Sequence, residues 1–264
     1  MQACQNEVSN EVILMITPSQ TLLIHGWGAN HHIFDLLQAY LPAPWQQNWY
    51  TPDLPGHGCA PFNGNFSIDS IADQLAAQLM APAHLLGWSL GGMVALTLAA
   101  RYPEKVATLC LTASLVRLLA DSDYPQGLKR TSLNIMADKF REDYPKYMQQ
   151  FLQLQMLYAD TSAQASVNSL IPAICQYGPP AALNAALHAL EQADLRPLLT
   201  SINCPVLLVY GDRDAITPPR MGEYIHQRLP QSEWCLLPQA AHTPFLSHPD
   251  QFARALCQFW ERHT

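Results

Sequence analysis

"HLLGWSLGGMVALTLAARYP" (His84–Pro103) sets a serine between two glycines, G-W-S-L-G, after an apolar run and before an Ala/Leu-rich one. Leu85 and Leu86 read as the close of a buried strand, and Met93 to Ala100 are good helix formers. The bare G-x-S-x-G pattern recurs by chance. A strand, a tight glycine turn and a helix around it are the context in which the serine, here Ser89, is a nucleophile. A serine hydroxyl is a poor nucleophile until a base takes its proton and a third group orients that base. The rest of the chain has to supply both.

Working outward, strand-like runs alternate with helical ones. "EVILMI" (11–16) and "TLLIHG" (21–26) read as strands, residues 31–40 as a helix, and "NWYTPDLPGHG" (48–58) as a strand entering a Pro/Gly loop. Ser67 caps a helix over 67–79, with Ile68, Ile71, Leu75 and Leu79 on one face. "AHLLGWS" (83–89) and "VATLCLTAS" (106–114) are strands on either side of the helix that follows Ser89. From Ser114 to about Arg196 the pattern is helical, in runs over 127–157, 165–175 and 180–195. The alternation then resumes with a strand and polar turn (204–214), a helix (220–229), a strand ending at His242 (233–242) and a closing helix (248–260).

Alternating βα units predict an α/β fold with a mostly parallel central sheet and helices on both faces. The helical block reads as a lid inserted at the carboxyl ends of the strands, where open α/β sheets bind ligands. The expected division is a first core part over 1–113, the lid over 114–195 and a second core part over 196–264.

The chain has 264 residues, 49% of them hydrophobic, enough for one large core and too apolar for a disordered chain. A net charge of −7 speaks against nucleic acid as the main partner. Seven cysteines, an odd number with no C-x-x-C pair, read as reduced thiols, with Cys110, Cys204 and Cys235 in or beside buried strands. No signal-peptide pattern stands at the amino terminus, and no apolar run reaches the roughly 18 residues of a membrane span. A cytoplasmic, monomeric enzyme without a membrane contact is the expectation.

Three strand ends offer the parts of a catalytic constellation. Ser89 follows one, Asp212 and Asp214 follow "PVLLVYG", and His242 follows "WCLLPQAA". The order Ser…Asp…His separates this arrangement from both unrelated serine-protease orders. A tetrahedral intermediate also needs preorganised N–H donors, and the amide of Leu90 stands at a helix N-terminus just after the serine.

"HGWG" (25–28), "DLPGHG" (53–58), "GWSLGG" (87–92), "YGDRD" (210–214) and "AAHTPF" (240–245) together resemble the α/β-hydrolase family over essentially the whole chain. That resemblance implies a Ser89–His242–Asp214 triad, because the acid ends the family's G-x-x-D turn; Asp212 is then expected to cap that turn through its side chain. It also implies that the second oxyanion donor is the backbone N–H of Trp27 in "HGWG". It calls for no metal or other cofactor, and the ten histidines form no metal-ligand spacing.

Other residues carry two readings each. His25 is expected to brace its loop, His57 to sit in a turn, and His31 and His32 to lie at the surface or a helix start. Trp88 is a wall of the substrate pocket or a core residue. Phe151, within the stripe "MQQFLQLQMLY" (148–158), is helix packing or a substrate contact.

Within the family the likeness is nearest to the methyl esterases of biotin synthesis that act on pimeloyl-acyl carrier protein. It rests on "GWSLGG", "FLQLQ" (151–155), "DLRPLL" (194–199) and "AAHTPFLSHP" (240–249). It implies a serine carboxylesterase working through an acyl-enzyme, with the acyl carrier protein as partner. Carrier proteins are strongly acidic, so a docking lid should be basic. Lys129, Arg130, Lys139, Arg141 and Lys146 are five of the fourteen basic residues and fall in one lid segment. Asp138, Glu142 and Asp143 interleave with them, so a solvated helix face with intrahelical pairs is the rival reading. Where the family has further lid arginines, this chain has the uncharged "TSAQASVNSLIPAICQY" (161–177). Another small ester, thioester or C–C substrate on the same fold is the alternative function. A non-catalytic receptor would have no use for the three residues, and a dehalogenase would need aspartate in place of Ser89.

Overall fold

Parallel pairing along one sheet orders everything else. In the computed structural model, which describes residues 20–263 apart from the side chains of residues 130–134 and 136, the strands run β2-β1-β3-β4-β5-β6. They are β1 Thr21–Ile24, β2 Trp49–Tyr50, β3 Ala83–Trp88, β4 Val106–Thr112, β5 Val206–Gly211 and β6 Glu233–Leu237, every pair parallel. The expected strand at 11–16 lies outside the described residues. Connections leave β1 and β3 in opposite directions, so the crevice beyond their carboxyl ends is the switch point where such sheets bind ligands.

Side chains of a strand alternate between its faces, and here both faces are covered, which is why the strands read as continuous apolar runs. Leu22, Ile24, Leu85, Leu109, Leu111 and Leu208 share one core with the helices α1 (Ile68–Gln78), α2 (Leu90–Arg101) and α7 (Pro219–Arg228). Leu23, Leu86, Cys110, Leu207 and Val209 share the other with the short α8 (Pro244–Ser247) and α9 (Pro249–Arg262). Ser67 caps α1 by accepting from the Ser70 amide, and Ile68, Ile71, Leu75 and Leu79 are all buried. No disulfide links the six described cysteines; Cys110 is buried, which pushes its thiol up to about 12, while Cys204 and Cys235 are only half-buried.

Two helix expectations are corrected. Residues 31–40 form two 3-10 turns, His31–Phe34 and Leu37–Tyr40, rather than one α-helix. Asn30 accepts from the His32 amide, and the tighter winding already buries Ile33, Phe34 and Leu37. The run over 127–157 is two helices, α3 (Arg130–Glu142) and α4 (Tyr144–Gln155). The break falls where Asp143 caps α4 by accepting from the Lys146 amide and Pro145 occupies its first turn.

The chain between β4 and β5 continues with α5 (Thr161–Cys175) and α6 (Leu183–Gln192). Ahead of α3, residues 115–128 are not helical. Isolated bridges Arg117–Asp194, Leu119–Leu128 and Asp121–Tyr124 fold them back, and Arg117 and Arg196 pair with Asp121, Asp123 and Asp194. No helix among the described residues is long and apolar enough to cross a membrane.

Besides His242, three buried histidines pack into the core, His25 and His57 in the loops after β1 and β2 and His84 at the amino end of β3. His25 accepts from the Leu54 amide through Nε2 and lies 2.9 Å from the Gly26 carbonyl through Nδ1, so it ties the "HGWG" loop to the "DLPGHG" loop. His57 lies buried beneath that second loop, and His84 sits inside β3 against Thr108. Burial lowers His25 to about 3, and His57 and His84 to about 4, from an ordinary 6.5. Below pH 6.5 the unfolded chain therefore takes up protons that the folded chain refuses. Stability falls as the pH drops from there toward about 4. Denaturant midpoints at pH 7 and 5 should show the loss, and His84→Phe should make the dependence shallower; a midpoint flat across that window would contradict it.

Candidate active site

Strand β3 ends at Trp88, and Ser89 turns the chain into α2. Ser89 holds φ 54 and ψ −117, its amide bonded to the Thr112 carbonyl at 3.0 Å. A left-handed serine is strained and persists because its surroundings over-determine it. Gly91 is what lets α2 start there, since a Cβ on it would stand 2.0 Å from the Ile24 carbonyl oxygen of β1. As the first residue of α2, Leu90 presents an amide that has no acceptor within the helix. Trp27 lies across the crevice in a turn closed by the Ala29 amide on the Gly26 carbonyl, which does not use the Trp27 amide.

His242 Nδ1 lies 2.9 Å from Asp214 Oδ2. The carboxylate is held from three sides: Oδ1 accepts from the Ile216 and Thr217 amides at 2.8 and 2.9 Å, and Thr217 Oγ1 is 2.7 Å from Oδ2. Asp212 does not cap this turn. That turn is closed by the Asp214 amide on the Gly211 carbonyl at 3.2 Å, and Asp212 Oδ1 instead accepts from the Gln239 amide at 2.7 Å, on the loop that carries His242. Ser89, Asp214 and His242 are 8%, 4% and 3% exposed, so any substrate must reach the serine through the cavity that Ser89 and His242 line.

That cavity is narrow, about 40 Å³, and apolar. Ser89 and His242 line it with Trp27, Trp88, Phe140, Met148, Phe151 and, deeper, Leu115, Leu118, Leu187 and Leu190. Trp88 is both wall and brace, since its ring is buried and its Nε1 donates to the His242 carbonyl at 2.8 Å. Phe151 stands edge-on to the His242 ring at 6.2 Å. With Phe140 and Ile216 it also separates the cavity from an open groove of about 560 Å³. Ile135, Leu154, Leu157 and Tyr158 line that groove and are all well exposed, beside Lys139 and Arg213.

Of the five basic lid residues, two share a neighbour and one is paired on its own helix. Lys139 and Lys146 converge on the Tyr147 ring, at 5.9 and 5.0 Å from its centre. Arg141 instead pairs with Asp138 on its own helix, the intrahelical pairing of the rival reading. Lys129 is exposed just before α3, and the side chain of Arg130 lies outside the described residues.

Residues that sequence reading passed over also meet here. Thr217 Oγ1 stands 2.8 Å from the Ala113 carbonyl and 3.1 Å from His242 Nδ1 as well as on Asp214; its single proton serves one acceptor at a time. Gln155 Oε1 accepts from the His242 amide at 2.9 Å, and the Tyr144 hydroxyl donates to the Gly28 carbonyl at 2.8 Å. A lone threonine, glutamine or tyrosine has no periodic or spacing signature; only "FLQLQ" hinted at Gln155.

A family model described as the alpha/beta hydrolase fold matches residues 22–249. A pimeloyl-[acyl-carrier protein] methyl ester esterase of Neisseria meningitidis serogroup B is 54% identical over 90% of this chain and 92% of its own. The protein of that name from Chromobacterium violaceum is 38% identical over 91% of this chain and 93% of its own. Among solved structures, a thermophilic esterase from Thermogutta terrifontis superposes with a TM-score of 0.73 at 25% identity, over 94% of this chain and 92% of that one.

The contrast between the two acids is testable. Asp214→Asn leaves the shape of the turn but presents an amide to His242 Nδ1, so turnover of any ester should fall on the order of 10⁴-fold. Asp212→Asn keeps an oxygen acceptor for the Gln239 amide and loses only the charge beside Arg213, so turnover should hardly change and any effect should show as a lower unfolding midpoint. The reverse pattern would move the acid to Asp212.

Proposed function

The chain belongs to the α/β-hydrolase family, and from that premise we propose that it is a serine carboxylesterase that hydrolyses the methyl ester of pimeloyl-acyl carrier protein, in biotin synthesis. The observation that carries the chemistry is Ser89, held left-handed at the switch point beside a histidine whose Nδ1 faces a fully anchored carboxylate. The substrate rests on the relatives of that name, at 54% and 38% identity over nine-tenths of the chain.

In this reading His242 Nε2 takes the proton of Ser89 Oγ as the oxygen attacks the ester carbonyl carbon. The carbonyl oxygen becomes an oxyanion held by the amides of Leu90 and Trp27. Collapse expels methoxide, which receives the proton from His242 and leaves as methanol. Water then repeats the sequence on the acyl-enzyme and releases the free acid and Ser89. Asp214 orients the imidazole and stabilises its cationic form without taking the proton.

The cavity suits this substrate. Its lining is apolar and among the described residues includes no lysine or arginine, so an esterified chain end enters at less cost than a free carboxylate. The carboxylate produced is disfavoured there, which aids release. Outside, the groove offers what an acidic partner with an apolar helix face would use: exposed Leu154, Leu157 and Tyr158 flanked by Lys139 and Arg213, with Lys146 nearby on α4. Arg141, already paired with Asp138, contributes less to such docking.

Ser89→Ala should abolish turnover while leaving substrate binding, and a fluorophosphonate should add once, at Ser89; labelling elsewhere would sink the assignment. Lys139→Glu with Lys146→Glu should lower kcat/KM for the carrier-bound ester, and salt should do the same to the unaltered enzyme, since exposed charges are screened over about 10 Å at 0.1 M. Arg141→Glu should matter less, and a small neutral ester should be indifferent to all three. Equal losses on both esters would mean that the substitutions only damage the fold of the lid, and no loss on either would favour the generic esterase.

A further inference from the structure

Helix α4 touches both halves of the proposed machinery. At its first residue the buried Tyr144 donates to the Gly28 carbonyl, in the loop that carries the Trp27 amide. At its last residue the buried Gln155 accepts from the backbone amide of His242. Eleven residues of α-helix separate the two contacts, about 16 Å of rise. Between them Met148 and Phe151, on the same helix, face the cavity.

The clamp on His242 is two-sided. Its amide goes to Gln155 on α4, and its carbonyl accepts from Trp88 Nε1, next to the serine. Gln155 is itself held, with Nε2 donating to the Phe151 carbonyl at 3.3 Å. The oxyanion loop is pinned a second time, by Trp27 Nε1 on the Leu183 carbonyl at the start of α6. The base and the oxyanion loop follow β6 and β1, which the strands β3, β4 and β5 separate. A rigid element spanning both fixes their separation.

We infer that α4 is a strut across the active site, with Tyr144 and Gln155 as positioning residues that set the oxyanion loop and His242 in register with Ser89. This rests on the serine-esterase reading and adds to it a role for the inserted helices: they complete the machinery as well as cover it. The outer side of α4 bears Lys146, Tyr147 and Leu154, so whatever docks there bears on the helix that sets the site.

Tyr144→Phe and Gln155→Met remove one hydrogen bond each at nearly constant volume. A contact that only stabilises the fold would lower the unfolding midpoint and leave kinetics alone. A positioning contact acts where the transition state is held. With a short-chain nitrophenyl ester, well below the unfolding midpoint, each variant should lose about tenfold in kcat, the rate equivalent of one hydrogen bond, with KM within about twofold. The inhibition constant of a short alkylboronic acid, a tetrahedral mimic, should rise by a similar factor. Gln155→Glu, which restores an acceptor for the His242 amide, should recover more than half of the lost activity. Wild-type kcat and boronate affinity in both variants, or a glutamate no better than methionine, would overturn the strut. Unaltered enzyme that ignores boronate, together with an active Ser89→Ala, would instead overturn the serine-esterase reading beneath it.

Discussion

The closeness of two backbones governs this molecule. Helix α2 begins so near β1 that a single methyl group at Gly91 would collide with the Ile24 carbonyl, and Ser89 accepts a left-handed backbone to make the turn. Such strain is stable only where neighbours fix it, and here the Thr112 carbonyl, the Gly92 and Met93 amides and the Ser114 hydroxyl all bond to Ser89. The payoff is positional: the hydroxyl stands at the switch point of the sheet, with the helix N-terminus and the "HGWG" turn on either side of the same small space.

Ser89 and His242 line one cavity at that edge, and several side chains hold the histidine in place. Asp214 is oriented by three donors from its own turn before His242 is counted, so the imidazole meets a carboxylate that is already set. The His242 peptide is gripped at both its polar atoms, by Trp88 and by Gln155. Satisfied buried polar networks of this kind rigidify a site, because each group deprived of its partner would stand unpaired in a low dielectric. The helices between β4 and β5 then do two things at once. Their inner side supplies Phe140, Met148, Phe151, Leu187 and Leu190 to the cavity, and their outer side carries the cations and exposed apolar residues of the groove.

The readable parts of the chain were those whose cause is local. The Ser67 cap, the spacing of Ile68, Ile71, Leu75 and Leu79, and the glycines around Ser89 each act within a few residues, so one sequence displays them. Residues 31–40 show the limit of that reasoning: apolar side chains at 33, 34 and 37 suit a 3-10 turn as well as an α-helix, and packing made the choice. In the same way 127–157 read as one helix because Asp143 and Pro145 are compatible with a helix start only when that start has somewhere to dock.

From the sequence alone came the alternation of strands and helices, the sheet class, the elbow at Ser89 and the two carboxylates and one histidine from which a triad could be drawn. The resemblance already pointed to Asp214 rather than Asp212, and tertiary structure sends one side chain to His242 and the other to the Gln239 amide. It also gave Thr217, Gln155 and Tyr144 their places, and divided the lid cations into Lys139 and Lys146 around Tyr147 and an Arg141 spent on Asp138. The reason is the range of the forces involved. Backbone sterics and helix caps act between neighbours in the chain, whereas a hydrogen bond from Tyr144 to Gly28, 116 residues away, exists only after the sheet has brought the two ends of the contact together.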